Sequence, residues 1–521
     1  VVGSRFGLWS RIKRVAASDT ISGLIMLGFA LVGLLLANIP VTSHLFESIA
    51  ETHMAVPYTN IDLPLGHWAQ DGLLTIFFLV VGLDLKQELT TGSLANPKAA
   101  AVPMACAVGG MAVPPLLFLL VTWLFSAFGP PAPGLEIVAS GAVHPFSAIS
   151  QGWAIPMATD IAFSLTVLAL FAKGLPGSIR AFLMTLATVD DLLAVIVIAL
   201  FFSSLNAWYW FLGIVVCAAV WAYLVRRRRV PWPVVVIVGA LAWVMMFEAG
   251  VHPTLAGMLV GLLTPSREMH GETSPRAERY KEKLQPFSAL LALPIFALFA
   301  TGVHFEALSP AMMVSPVVLG IVAALVIGKP LGIMITAWLA THPIGLSLPK
   351  GLRVRDLFPA ACACGIGFTV SFLLATLAYD DPELSGEARF GVLVGSLISA
   401  MVAGLLLNHQ ARGFRSRAAE RELAEAARKA AGADANIEEV LADGSITISM
   451  KALSPEAIRR YRERHPERFA TEEGSSSEEE RRTTTVKPGS RHISRLKRRM
   501  RELGKGSGKA TGSKRGRGHR R

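Results

Sequence analysis

Runs of about twenty apolar residues recur along the chain from Ile21 to about Leu407, separated by short segments that hold most of the charge. A helix of about twenty residues rises far enough to cross the hydrocarbon core of a bilayer. The pattern therefore predicts an all-α, polytopic membrane protein. Twelve spans fit it, roughly 20–39, 71–88, 99–126, 154–171, 180–203, 207–225, 232–247, 249–264, 286–303, 314–341, 357–379 and 388–410. Near Ala411 the pattern stops, and the rest is rich in Arg, Lys, Glu, Ser and Gly. The expected organisation is a short N-terminal segment (1–19), a transmembrane domain (20–410) and a soluble tail (411–521).

The positive charges between the spans alternate. Arg5, Arg11, Lys13 and Arg14 precede the first span, and the next loop, about 40–70, has no Lys or Arg. Lys86 and Lys98 follow, then none from 127 to 153, then Lys173 and Arg180. Ser203–Ala207 has none before Arg226–Arg229, and Glu248–Pro253 has none before Arg267, Arg276, Arg279, Lys281 and Lys283. The 303–313 loop has none before Lys350, Arg353 and Arg355, and only Arg389 breaks the alternation. Short basic loops stay on the cytoplasmic side, so both termini are expected there.

Composition adds little to this within the membrane part. The chain of 521 residues is 52% hydrophobic and only 17% charged. Of its 50 Lys and Arg, 28 lie from Ala411 onward, with 16 of its 38 Asp and Glu, so the formal charge of +12 belongs to the tail. Within that tail Ile446–Met450 reads as a strand and Ser454-Pro455-Glu456 as a helix start, which makes a small ordered part near 436–470. Beyond Thr471 an acidic serine run and a Lys/Arg/Gly-rich end read as disordered. A solvated tail with no specific partner is the first reading, and contact with anionic membrane lipid, which attracts a polybasic cytoplasmic segment, is the second. Nucleic acid is not expected, since no aromatic residues interleave the basic end. Cys106, Cys217, Cys362 and Cys364 sit in apolar segments as small hydrophobes, and no second cluster joins Cys362 and Cys364 to make a metal site. No cleavable signal peptide is expected, and the start at Val1-Val2 points to an unusual start codon or to residues upstream.

Charges inside the spans are few: Asp160, Asp190, Asp191 and Lys329, with Asp84, Glu88 and Glu248 nearer the ends. An ionised Asp at the membrane centre costs about 2.5–3.5 kcal/mol even on lenient scales. Asp190 and Asp191 adjoin each other and open an otherwise apolar run, so a cation and protons are the expected occupants. Carboxylate oxygens are hard ligands that suit a hard cation such as Na+. Like charges side by side favour protonation of one of them, so protons and sodium compete for one site. Pro156 in span four and Gly365 and Gly367 in span eleven are helix breakers followed by hydroxyls or carboxylates. Interrupted helices of this kind line cavities in transporters. Asp160 is placed to offset two half-helix N-termini, and Lys329 the facing C-termini.

Six segments carry a resemblance to a known family. They are Val81–Leu89, Gly152–Phe163, Val189–Leu192, His252–Gly257, Ile327–Ile333 and Gly365–Thr369. In order and spacing they resemble the NhaA-type sodium/proton antiporters over roughly residues 15–410. The resemblance implies inverted repeats and two interrupted, crossing helices, the fourth and the eleventh. It implies that Asp190 and Asp191 bind Na+ or Li+ and H+, that Thr159, Asp160 and Lys329 form the polar centre of the crossing, and that Lys329 pairs with Asp190. It links Asp84, Glu88 and His252 to pH response. The implied activity is electrogenic, pH-regulated export of Na+ or Li+ against H+, with no cofactor and no enzymatic step. A homodimer is left open. Asp84 stands where a Glu is usual, and Lys281-Glu282-Lys283-Leu284-Gln285 departs from the Glu and His of the family's pH-sensing loop. A sodium-coupled solute symporter would also need buried carboxylates. An intramembrane aspartyl protease would need a Gly-x-Gly-Asp motif, which the sequence lacks.

Overall fold

A computed structural model describes residues 15–16, 18–55, 61–128, 145–172, 175–203, 208–302, 314–346, 348, 352–431, 446–449 and 483–486. Arg5, Arg11, Lys13, Arg14, Lys173, Lys350, most of the 127–153 and 303–313 loops, the helix start at Ser454 and the basic end lie outside them. Two compact units divide the chain, Val1–Phe414 and Arg415–Arg521.

The elements run in order as α1 (Asp19–Asn38), α2 (Pro40–Ala50), a hairpin of β1 (His53–Ala55) and β2 (Asp62–Pro64), α3 (Leu65–Thr90) and α4 (Pro97–Phe128). Then come α5 (Phe146–Met157), α6 (Ile161–Phe171), α7 (Gly177–Phe201), α8 (Trp208–Leu224), α9 (Trp232–Glu248) and α10 (Leu255–Leu263). They are followed by α11 (Arg276–Ala300), α12 (Pro316–Thr341), α13 (Val354–Ala363), α14 (Phe368–Ala378) and α15 (Pro382–Ala431). The first unit is an all-α polytopic membrane protein. Seven of its described helices are long and apolar enough to cross a bilayer, and the bent pairs α5–α6 and α13–α14 raise the number to nine. Leu31, Leu35, Leu200, Val215, Val236 and Leu405 are large, apolar and exposed, as a surface facing lipid requires.

Packing pairs helices distant in sequence: α3 with α10, α4 with α12, and α1 with α11. The α4–α12 contact depends on Gly109 and Gly332, where an added methyl group would run into the backbone of the facing helix. Two π-helical turns, Ser288–Ala292 and Ala324–Gly328, each end two residues before a proline, Pro294 and Pro330. The proline ring crowds the preceding turn, and the wider π-turn accommodates it. Lys329 leaves α12 immediately after the second of these turns.

Several boundaries differ from the pattern-based expectation. α3 begins at Leu65 rather than 71, through a π-turn at Trp68–Leu73. The span expected at 249–264 is helical only over nine residues, Leu255–Leu263. Gly250, at φ +74, ends α9 in the left-handed region, and Pro253 disfavours a helical conformation at His252. α15 continues past 410 to Ala431, through a stretch rich in the helix formers Ala, Glu, Arg and Lys. In the second unit, Ile446–Ser449 is a strand, paired antiparallel with Thr483–Val486. Those last four residues fall in the stretch expected to be disordered. Their run of Thr-Thr-Thr-Val is β-branched throughout and suits a strand.

Candidate functional site

The bent pairs are built by their breaks. α5 is a tight 3-10 turn in its last eight residues, Ser150–Met157, and includes Pro156, which cannot donate to a helical ladder. Ala158 and Asp160 are extended, and α6 leaves at 51° to α5. In the second pair, Cys364 to Gly367 separate α13 from α14, at 59°. The two breaks meet: the Asp160 N–H donates to the Ile366 carbonyl at 2.7 Å.

An interrupted helix leaves orphan N–H and C=O groups in the apolar interior, and each must find a partner. Asp160 serves both N-termini. Its Oδ1 accepts from Phe163 N at 3.0 Å, capping α6, and its Oδ2 accepts from Thr369 N at 3.2 Å, capping α14. Thr159 Oγ1 donates to Cys364 O at 3.1 Å, and Ser164 Oγ to Ala363 O at 2.8 Å, so the C-terminal end of α13 is met by hydroxyls. The C-terminal end of α5 is met by Lys329, whose Nζ donates to Met157 O. A carboxylate at two positive helix ends and an ammonium at a negative one lower the field of the facing dipoles.

Lys329 makes a second contact, at 2.9 Å to Asp190 Oδ2, with side-chain exposures of 0% and 1%. Asp190 Oδ1 is buried and has no hydrogen-bond partner among the described residues. Asp190 lies 13 residues into the 25-residue α7, near the middle of that span. Asp191 is buried next to it and lies within electrostatic reach of Asp160, Asp190 and Lys329. Asp160 at the start of α6, Asp190 and Asp191 of α7 and Lys329 of α12 thus converge at the crossing of the breaks.

Asp84, Glu88 and His252 are not part of this centre, nor are they one group. Asp84 forms an ion pair with Lys281 at the start of α11, and both are partly exposed. Glu88, one turn further, accepts from Ser93 N and Ser93 Oγ at 2.8 Å each, and Ser93 Oγ meets Thr185 Oγ1 of α7 at 2.8 Å. His252 lies toward the other end of α3, with Nε2 3.4 Å from Asp71 Oδ1 and Nδ1 2.6 Å from Thr254 Oγ1. Asp71 and Asp84 are 13 residues apart on one helix, roughly 20 Å. Asp71, Ser164, Ser396 and Ser399 escaped the sequence reading. Asp71 stood at the edge of an apolar run, where an end-of-helix carboxylate is ordinary, and single serines in apolar helices carry no signal of their own.

Together these features define a membrane protein of the interrupted-helix class, with a buried charged centre where the breaks cross. The chain belongs to the Na+/H+ antiporter 1 family, whose model matches residues 13–407. It is 74% identical over 413 residues to the Na(+)/H(+) antiporter NhaA of Bifidobacterium longum, covering 79% of this chain and 88% of that protein. It is 72% identical over 418 residues to the protein of the same name from Bifidobacterium breve, covering 80% and 90%. A more distant relative, the Na(+)/H(+) antiporter NhaA of Streptomyces avermitilis, is 39% identical over 408 residues, covering 78% and 83%.

Proposed function

We propose that the chain exchanges cytoplasmic Na+ or Li+ for external H+ at a site made by Asp190 and Asp191. The exchange is electrogenic and pH-regulated, and it runs on the proton gradient. The observation that carries this reading is the buried Asp190–Asp191 pair, with Asp190 Oδ1 unpaired beside the Lys329 ion pair. A carboxylate oxygen without a partner in an apolar interior is a ligand position for a hard cation or a proton. When one carboxylate binds Na+, the Lys329–Asp190 pair weakens and a proton leaves. Protonation displaces the cation in turn. One site that faces each side of the membrane alternately then gives antiport with no separate coupling device.

The wider reading is a bundle of twelve spans with inverted repeats, α5–α6 and α13–α14 forming spans four and eleven. It is supported by the alternation of basic loops, which puts both termini in the cytoplasm, and by the two bent pairs. Asp84, Glu88 and His252 belong in this reading to pH response at the two ends of α3. The basic tail beyond the first unit is read as a solvated segment, with anionic lipid as the alternative contact. The test is sodium-induced proton release in proteoliposomes, scanned over pH. Release with Na+ or Li+ alone supports the proposal, and a requirement for an organic solute would replace it with symport.

A further inference from the structure

The break between α13 and α14 is bordered by hydroxyls that differ in one respect. Ser396 and Ser399 lie one turn apart on α15 and are both buried. Ser396 Oγ accepts from Gly367 N–H at 3.3 Å. Ser399 Oγ faces the other glycine of the break: a methyl group added at Gly365 would lie 2.6 Å from it. Yet among the described residues Ser399 Oγ has no hydrogen-bond partner, not even a carbonyl of its own helix, where a serine ordinarily returns its hydroxyl. α15 thus presents two hydroxyls to the break, one engaged and one idle.

A buried idle hydroxyl is destabilising, and each such group asks for a reason. The reason here lies in the backbone it faces. Around the break, Ala363 O, Cys364 O and Ile366 O accept from Ser164, Thr159 and the Asp160 N–H. Gly365 O accepts nothing among the described residues. A buried hydroxyl and a carbonyl of the break, neither with a hydrogen bond among the described residues, stand on adjoining elements, one on a continuous helix and one on the break. Ser371 Oγ is also idle, but it sits on α14 and travels with the break, so it cannot register the break's movement. A methyl group added at Gly365 would also run into Leu325 O of α12, so only glycine fits where α12 and α15 meet the break.

We propose that Ser399, with Ser396, is a positioning residue for ion exchange. Ser396 holds the Gly367 amide in the state described, and Ser399 takes the Gly365 carbonyl when the break shifts during the transport cycle. This rests on the antiport reading, because it needs a second state of the same crossing. The test is Ser399→Ala in proteoliposomes beside the wild type. The maximal exchange rate should fall about threefold to tenfold, the worth of one hydrogen bond made only in the second state. The apparent KM for Na+ should stay within about twofold, since no group at the carboxylate pair has changed. Thermal stability should be equal or higher, because the idle hydroxyl is gone. Ser399→Thr, which keeps the hydroxyl, should recover rate. Ser396→Ala should lose stability, since its hydroxyl is engaged. A Ser399→Ala protein with wild-type rate, or one that loses rate and stability together, overturns the assignment. Amide hydrogen exchange over residues 364–369 reads the same movement without transport: its Na+ dependence should be present in the wild type and reduced in Ser399→Ala, and equal dependence in both overturns the proposal. Wild-type vesicles without exchange at any pH would overturn the antiport reading, whereas active wild type with an equally active Ser399→Ala removes only the serine.

Discussion

Lys329 Nζ lies 2.9 Å from Asp190 Oδ2, and the same ammonium donates to Met157 O at the end of α5. One side chain from α12 thus joins α7 to an interrupted helix. Its neighbours fix what its loss does. Lys329→Ala leaves a buried carboxylate and a helix C-terminus without their donor, and breaking a buried pair costs about 3–5 kcal/mol. The expected result is a large fall in thermal stability and a changed pH profile of exchange. Lys329→Arg keeps the charge but does not readily deprotonate, so activity should survive with its pH dependence shifted. An Ala variant equal to wild type in both stability and pH profile would show that the ion pair is dispensable.

Asp191→Asn and Asp190→Asn should each abolish sodium-driven proton movement while the protein still inserts. In the proposed exchange each carboxylate supplies a hard ligand and the charge for which protons compete. Asn is close to Asp in size, so packing within α7 is preserved. Near-normal exchange in Asp191→Asn would move the site elsewhere.

Asp160 caps two helices at once, so its replacement has a double effect. Asp160→Ala removes the acceptor for Phe163 N and for Thr369 N. Each lost cap costs about 1 kcal/mol, and more where the freed N–H is buried. Thermal stability should fall by more than a single cap explains. Asp160→Asn keeps one acceptor oxygen and should be intermediate. Equal stability of the Ala and Asn variants would show that the two caps do not carry the crossing.

The helices were legible because their cause is local. A run of apolar residues long enough to span a bilayer is visible in sequence, and so is a charge inside it. Asp160, Asp190, Asp191 and Lys329 stand out for that reason. Their meeting is a different matter, since Asp160 and Thr369 are 209 positions apart. No period in the sequence carries that contact. The same holds for Ser396 and Ser399, which are ordinary in composition and acquire meaning only beside Gly365 and Gly367. The nine-residue α10 was overestimated because apolar content persists through the turn at Gly250, where the backbone and not the hydropathy ends the helix. The strand Thr483–Val486 was missed because its charged flanks outweighed four β-branched residues.

Truncation after Arg417 should leave exchange intact. The buried charged centre and both breaks lie before that point, and the last matched family position is 407. A truncated protein that inserts well but exchanges at no pH would make the tail part of the transport machinery.

Arg276 offers a test of stability where α11 begins and α8 ends. Its side chain is buried, and Nη1 donates to Val225 O at 2.6 Å and to Arg227 O at 2.7 Å, beyond the end of α8. Its other nitrogens hold Glu272, with Nη2 2.7 Å from Oε1. Hydrogen bonding to Arg276 is the main reason that the Glu272 carboxyl titrates below its ordinary value of 4.5. A carboxyl lowered by folding stabilises the fold at pH above its unfolded value, and that contribution is lost as pH falls through the lowered folded value. Glu272→Gln should therefore lower the thermal midpoint at neutral pH, and the gap to wild type should close as the solution is acidified below pH 4.5. Arg276→Ala should cost more, about 2–3 kcal/mol, because two carbonyls lose a charged donor as well. That larger loss should persist at low pH, where Glu272 is protonated but the carbonyls still need a partner. If both variants lose the same stability at every pH, the carbonyl contacts contribute nothing and Arg276 serves Glu272 alone.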